Sequence, residues 1–400
     1  MDSRLNPRIL RLSLIILAVL FAGEAFANIV GEMRVIGDAE RTRFVVDLEK
    51  SPEYGILRLA NPYRLVVDLP DVDFKEAAKP GSGRGLVSDY RYGLIGPGKA
   101  RIVLDLSGPV EVVNTFVLDP VSNEPARLVV DLVPTTPEEF AKGVDLDRPK
   151  RIAAVQQGEA DGLATGVGLP IVVIDPGHGG IDAGAVGKGG LVEKDVTLKF
   201  GLELERQLKA GGKLQPILTR NGDTFISLVE RVAIARRLHA QLFVSVHADT
   251  VRQDYVRGAT VYTLSDDASD EIAAALAERE NRSDILAGLA LEDQPDDVAD
   301  ILFDLARRET RNLSVRFAKT LVDDMRGDVA LNGNPWRRAS FAVLKAPEVP
   351  SVLLELGYLS NKEDEKLFKS DAWPAGEAEE VARAIEAFFN GKLTAGEAGQ

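Results

Sequence analysis

Two apolar, strand-length runs of this chain each lead into a histidine, and that pairing constrains the fold more than any other feature. Ile171-Val172-Val173-Ile174 runs into Asp175-Pro176-Gly177-His178-Gly179-Gly180, and Leu242-Phe243-Val244-Ser245-Val246 ends on His247. Short continuous apolar runs read as buried strands, and open α/β sheets place their ligands at the edge where such strands give way to loops. The chain has three histidines, and two of them fall at this edge. Glu193 lies between them in Gly190-Leu191-Val192-Glu193-Lys194-Asp195, just ahead of a helical pattern. A lone histidine beside glycine is most often a plain loop residue. Two at strand ends, with an acid between, form a ligand set of catalytic zinc, which keeps its fourth position for water.

A third run, Ser351-Val352-Leu353-Leu354-Glu355-Leu356-Gly357-Tyr358-Leu359-Ser360-Asn361, carries a carboxylate inside an apolar strand. Burying that charge is costly unless it is paired or faces a cation. A glutamate beside a zinc-activated water can act as general base and then hand the proton to a leaving group.

From Ile171 to about residue 390 the chain resembles the zinc-dependent N-acetylmuramoyl-L-alanine amidases of bacterial cell-wall remodelling. The matching blocks are Val173 to Gly180, Glu193-Lys194-Asp195, Leu218-Thr219-Arg220, Ser245-Val246-His247-Ala248-Asp249 and Leu354 to Asn361, in order along the chain. The resemblance implies His178, Glu193 and His247 as zinc ligands and Glu355 as the catalytic glutamate. It also implies cleavage of the amide between N-acetylmuramic acid and the first L-alanine of the stem peptide. The expected catalytic domain, 169–392, has an open, mostly parallel sheet flanked by helices. Asp175 is read as orienting His178 through its second nitrogen or, equally, as capping the turn. Arg220 and Arg231 either steady substrate carboxylates or form ion pairs, and His239, on a helical pattern, reads as structural. A zinc peptidase cutting within the stem peptide shares the ligand set, and a wall-binding protein without catalysis is a further alternative; the intact four residues speak against the latter.

The N-terminal half repeats itself. Arg43-Phe44-Val45-Val46-Asp47-Leu48, Arg64-Leu65-Val66-Val67-Asp68-Leu69, Arg101-Ile102-Val103-Leu104-Asp105-Leu106 and Arg127-Leu128-Val129-Val130-Asp131-Leu132 share one pattern. With no helical periodicity between them, residues 28–135 read as an all-β unit of two packed sheets. The period-two rule puts each arginine and its aspartate on one strand face, as a cross-strand ladder of charges or as a carbohydrate- or peptide-binding face. The unit resembles the AMIN-like domain that targets such amidases to peptidoglycan. Pro134 to Glu139 could begin a short helix, but residues 136–168 as a whole have the composition of a flexible tether.

The first residues read as an export signal. Arg4, Arg8 and Arg11 precede an apolar stretch, Leu12 to Ala22, too short to span a bilayer comfortably, and Ala25-Phe26-Ala27 offers small residues to a signal peptidase. Residues 1–27 are therefore the expected signal peptide, the destination is the periplasm, and the mature protein should not span the membrane. With no cysteine there are no disulfides or thiolate ligands, and the net charge of −14 argues against nucleic acid as partner.

An acidic segment at 265–312 interrupts the catalytic half, with fourteen acidic residues against five arginines. It is helix-prone, and its bland reading is a solvated surface helix pair. Its place soon after His247 lets it lie over the metal cleft. Amidases of the cell-division type, which the chain resembles, carry an inserted helix that plugs the site until an activator removes it. Glu280 is the candidate for the open zinc position, with Glu278 second. An activator would dock on the helix at 270–308, over the stripe Val298, Ile301, Leu302 and Leu305.

Overall fold

The computed structural model describes residues 28–70, 72–74, 82–96, 98–156, 168–289 and 301–397. The expected signal peptide, residues 157–167 of the expected tether and 290–300 of the acidic insertion, with Val298, lie outside the described residues, as do the side chains of Ile301, Leu302 and Leu305.

The N-terminal part holds strands β1 (Asn28–Gly37), β2 (Thr42–Leu48), β3 (Gly55–Leu59), β4 (Arg64–Pro70), β5 (Val72–Phe74), β6 (Ser82–Arg84), β7 (Val87–Gly96), β8 (Lys99–Leu106), β9 (Val110–Leu118) and β10 (Ala126–Pro134). They form two five-stranded sheets, ordered β5-β1-β2-β10-β9 and β3-β4-β8-β7-β6. Alternation decides the interior. Phe44, Val46, Leu65, Val67, Ile102, Leu104, Leu128 and Val130 meet in one core. Each such side chain contributes roughly 1.5–3 kcal/mol when fully buried.

The arginines and aspartates of the repeat face outward, and antiparallel register pairs them. Arg43 stands opposite Asp131 and Asp47 opposite Arg127 on β2 and β10, and Asp68 stands opposite Arg101 on β4 and β8. The expected charge ladder is present: Arg43–Asp131 and Arg101–Asp68 close at 2.6 Å, and Arg127–Asp47 at 3.4 Å. One rung differs. Arg64 lies opposite Asp105 in register but donates to the carbonyl of Ile285, while Asp105 pairs with Arg91.

The segment expected as a tether starts as a helix, Pro137–Gln156. Thr136 Oγ1 accepts from Glu139 N at 3.2 Å, and proline at the first helical position is pre-organised for the turn. Phe140 is buried in the β core against Tyr63, and Asp147 accepts from Arg58 Nε at 2.9 Å. Among its described side chains Phe140 and Val144 are the apolar ones packed on the β core, so the segment reads as a linker although its first half packs on the β unit.

The second part is built on β11 (Ile171–Pro176), β12 (Gln215–Leu218), β13 (Leu242–His247), β14 (Ala259–Leu264), β15 (Leu331–Ala339) and β16 (Ser351–Glu355). The order is β12-β11-β13-β16-β14-β15, and every pairing is parallel except β14 with β16. This is the mostly parallel, helix-flanked sheet expected. Val172, Ile174, Val244 and Val352 face the helices Glu193–Gly211, Ile301–Met325 and Trp373–Glu397, burying Phe200, Phe317 and Phe388 among them. Val173, Phe243, Tyr262 and Leu353 face the helices Leu228–Arg237 and Glu271–Glu280 on the other side. Among the described residues no helix is long and apolar enough to cross a membrane.

Candidate metal centre

Three neighbouring parallel strands deliver the candidate residues to one edge. His247 and Glu355 are the last residues of β13 and β16 and are register partners, and His178 follows two residues after β11. Glu193 opens the helix Glu193–Gly211 across the loop from them. His178 has a φ of 60°, a left-handed conformation uncommon for a side-chain-bearing residue. Arg231 holds it there. Its Nη2 donates to His178 O at 2.7 Å, and its Nη1 donates to Pro176 O at 2.8 Å and to Asp175 Oδ1 at 2.6 Å. Arg220 donates to Pro176 O at 2.9 Å and to Gly177 O at 2.8 Å. Both arginines are buried and committed to the loop, which favours the ion-pair and scaffold reading over contact with substrate.

Asp175 does not orient His178. It accepts from Thr219 Oγ1 at 2.6 Å, Ser245 Oγ at 2.8 Å and Arg231, as an anchor beneath the loop. Asp175 lies on the same sheet face as its register partner Ser245, and only the turn beyond β11 brings an acid back to the imidazole. That acid is Asp182, whose Oδ2 lies 2.9 Å from His178 Nδ1 and also accepts from Ser283 Oγ. Its interaction with His178 outweighs the cost of burial and holds its carboxyl at about 2. Gly184 makes room for this arrangement, since a Cβ there would stand 2.6 Å from His178 Cδ2 and 2.7 Å from Glu193 Oε2.

His178 Nε2, His247 Nδ1 and Glu193 thus turn their ligand atoms to a common centre, all within 4.8 Å of one another. His178 Nε2 lies 3.2 Å from Glu193 Oε2, and His247 Nδ1 lies 3.2 Å from Glu193 Oε1. Glu193 is fixed from outside by Ala185 N–H at 2.8 Å and Ala248 N–H at 2.9 Å.

A second carboxylate completes the cluster. The helix Glu271–Glu280 is capped by Asp270, which accepts from Ala273 N at 3.0 Å. Its buried face is Ala273, Leu276, Ala277 and Glu280, the i, i+3, i+4, i+7 stripe. The same periodicity that packs leucine and alanine on the sheet carries Glu280 into the site. Glu280 Oε2 stands 3.2 Å from His247 Nδ1 and 3.5 Å from His178 Nε2. Glu278, the second candidate, falls on the exposed face beside Arg282.

These separations test whether a metal would fit. Ligand atoms at about 2.0–2.1 Å from a tetrahedral zinc stand roughly 3.3–3.4 Å apart. The four contacts run from 3.2 to 3.5 Å, the two to Glu193 ending on its different oxygens and the two to Glu280 on one, so the separations are of the size a bound zinc would set. His178 Nε2, Glu280 Oε1 and Glu355 Oε1 are buried without a hydrogen-bond partner, as expected of groups arranged around a cation.

The electrostatics agree. Burial, then Glu193 and Asp249, push Glu355 well above the usual glutamate range. Burial, then Glu193 and Glu280, raise Asp249 to about 7, against the pull of Arg279. Burial works against protonation of His178, yet Asp182, Glu193 and Glu280 together raise it well above its usual value. Such a concentration of buried negative charge needs a positive partner, and a divalent ion would reverse the local balance. Glu355 itself is held by Asp249 N–H, which donates to Oε2 at 3.0 Å.

Asp182, Asp249, Arg279 and Ser283 were not among the residues singled out in sequence. Asp182, four residues after His178, and Asp249, two after His247, carry local signals; Arg279 and Ser283 carry none. His239 lies exposed at the end of the helix Leu228–Arg237, away from the centre.

Comparison with known proteins gives the cluster a family. Residues 172–387 match the N-acetylmuramoyl-L-alanine amidase family, and residues 32–132 match the AMIN domain. The N-acetylmuramoyl-L-alanine amidase AmiC of Escherichia coli is 34% identical over 375 residues, covering 89% of this chain and 88% of the relative. AmiC of Neisseria meningitidis is 32% identical over 374 residues, covering 87% of each. AmiA of Escherichia coli is 38% identical over 224 residues, 56% of this chain and 77% of its own. This chain belongs to the N-acetylmuramoyl-L-alanine amidase family, with an AMIN domain ahead of its amidase domain.

Proposed function

We propose that this protein is a zinc-dependent enzyme that hydrolyses the amide between N-acetylmuramic acid and L-alanine in peptidoglycan. Its setting is cell-wall remodelling and the separation of daughter cells, reached by export to the periplasm on residues 1–27. The observation that carries this reading is the convergence of His178, Glu193 and His247 on one point beside the partnerless Oε1 of Glu355.

His178 Nε2, His247 Nδ1 and Glu193 would hold the ion. When bound, zinc supplies a Lewis acid that acidifies water and polarises a carbonyl. Glu355 takes the proton from the attacking water as the carbon–oxygen bond forms. It delivers that proton to the amide nitrogen as the carbon–nitrogen bond breaks, releasing the α-amine of alanine. Asp182 fixes the imidazole of His178 so that Nε2 faces the centre.

Glu280 is an inhibitory occupant of the fourth position, and the acidic insertion is the plug. The N-terminal domain binds peptidoglycan, and an activator protein docks on the helical insertion at 270–308 to draw Glu280 away. Only an activator that binds the displaced segment better than the docked one can do this.

The test is to load the purified protein with zinc, incubate it with intact sacculi, and identify released fragments by mass. Free stem peptides beginning with L-alanine are expected, in larger yield from Glu280→Gln than from the parent. Fragments cut inside the stem peptide would replace the amidase reading with a peptidase.

A further inference from the structure

The inhibitory segment is gripped at both ends, and the second grip belongs to the other domain. After Glu280 the chain turns through Asn281, whose side chain bridges Ser340 O and Ala342 N at 2.8 and 2.7 Å. The short helix Ser283–Leu286 follows, with Ser283 Oγ donating to Asp182 and Asp284 Oδ1 accepting from Leu228 N at 2.8 Å. The carbonyls at and just beyond its end then turn to three arginines on the outer face of the β3-β4-β8-β7-β6 sheet.

Arg64 Nη1 donates to Ile285 O, and Arg91 Nε to Leu286 O. Arg101 Nη1 donates to Ala287 O at 3.3 Å and to Gly288 O at 3.2 Å. Arg101 is aimed by Asp68, at 2.6 and 2.9 Å, and Arg91 by Asp105. Among the described residues Arg64 makes no ion pair, although Asp105 stands opposite it in register and favours its charge from a distance. It is a buried guanidinium with its pKa drawn down to about 10 by burial, and its outward reach is spent on the Ile285 carbonyl and that of Pro62. A buried cation with so few acceptors is expensive unless that carbonyl is there.

Beneath the carbonyls the contact is apolar. Ala287 is fully buried among Leu57, Leu59, Val66 and Val103 of the β domain and Ile181 and Phe225 of the amidase domain. Gly288, at φ +76°, lies so close that a Cβ would stand 2.9 Å from Val103 and 3.1 Å from Val66. The matching outer face of the other sheet has the same charge ladder and closes it on itself, Arg43 on Asp131 and Arg127 near Asp47. The departure of Arg64 from the ladder therefore coincides with the arrival of the segment.

We propose that this sheet face is a latch: Arg64, Arg91 and Arg101 hold residues 285–288, and through them hold Glu280 in the metal site. The inference rests on the inhibitory reading of Glu280. Withdrawal of Glu280 together with residues 285–288 would break these arginine contacts while the Leu94–Phe225 contact between the domains stays, so any ligand that takes this sheet face favours the open enzyme, and opening favours that ligand equally.

The experiment uses the full chain and two variants that attack the seam from opposite sides, Arg64→Ala on the β domain and Gly288→Val on the segment. Hydrolysis of a soluble muropeptide removes wall adsorption from the measurement. Both variants should run at least about threefold faster than the parent, and adding Gly288→Val to Glu280→Gln should give no further gain. Amide hydrogen exchange of residues 271–288 in metal-free protein should also quicken in Arg64→Ala, while exchange in β11 and β13 stays slow and reports an intact fold. A fast Glu280→Gln beside seam variants with parental rate and parental exchange overturns the latch and leaves inhibition standing. If Glu280→Gln is itself no faster, inhibition falls, and the latch with it.

Discussion

Glu280 and His247 meet at 3.2 Å, a helix residue and a strand-end residue brought together by two unrelated periodicities. The contact places an acid of the insertion where the three-donor set has its opening. On the proposed function the metal centre and its regulation share this one contact, so changes there should separate metal binding, turnover and inhibition.

His247→Ala removes one of three converging donors. Metal analysis after dialysis should find the variant without bound zinc and without activity, against about one equivalent in the parent. Stoichiometric zinc in the variant would dismiss His247 as a ligand.

Glu355→Gln keeps the shape and the Asp249 N–H contact but cannot take a proton. Zinc content and melting behaviour should match the parent, while turnover drops by about 10²–10⁴-fold, the usual weight of general acid–base catalysis. A residual rate above roughly a tenth of the parent would refute the role. Lost zinc would move Glu355 among the ligands.

Asp182→Asn retains an acceptor for His178 Nδ1 but loses the charge that favours the imidazole as a donor. Partners of this kind are worth about 10–100-fold in metal affinity. Competition against a calibrated chelator should show a weakening of that size, with the fold unchanged. Equal affinity would reduce Asp182 to a loop contact.

Glu377 offers a test of stability away from the site. It is buried in the helix Trp373–Glu397, with Trp373 Nε1 donating to Oε2 at 2.6 Å and Oε1 without a partner. Burial raises its carboxyl to about 8. A carboxyl with a raised folded-state pKa binds its proton more tightly when folded, so its neutral form costs nothing below the unfolded value near 4.3. Stability is then lost as pH climbs from there toward 8. Glu377→Gln should lie nearest to the parent in melting temperature near pH 4 and several degrees above it at pH 8.5. A melting difference that does not change with pH would contradict this.

Much of the site was legible because its residues lie where short-range patterns end. Buried strands announce themselves as apolar runs, so His178, His247 and Glu355 could be assigned to strand ends, and parallel pairing aligns those ends on one edge. Glu280 was legible for a similar reason, lying one turn beyond Leu276 and Ala277 on a helical stripe. The repeated Arg and Asp pattern likewise foretold a charge ladder, since alternation places both on one strand face.

What sequence alone determined, then, was which residues share a face or an edge, because backbone periodicity is a local property of the chain. Only the tertiary structure decided which partners those faces meet. Asp182, not Asp175, reaches His178 because the turn after β11 folds back on itself, and the helix Pro137–Gln156 packs on the β core through Phe140, Val144 and Asp147. Arg64 leaves its ladder for the carbonyl of Ile285, in the other domain. Contacts between segments so distant follow from how two domains fit together, and no repeat or period in the chain encodes that fit.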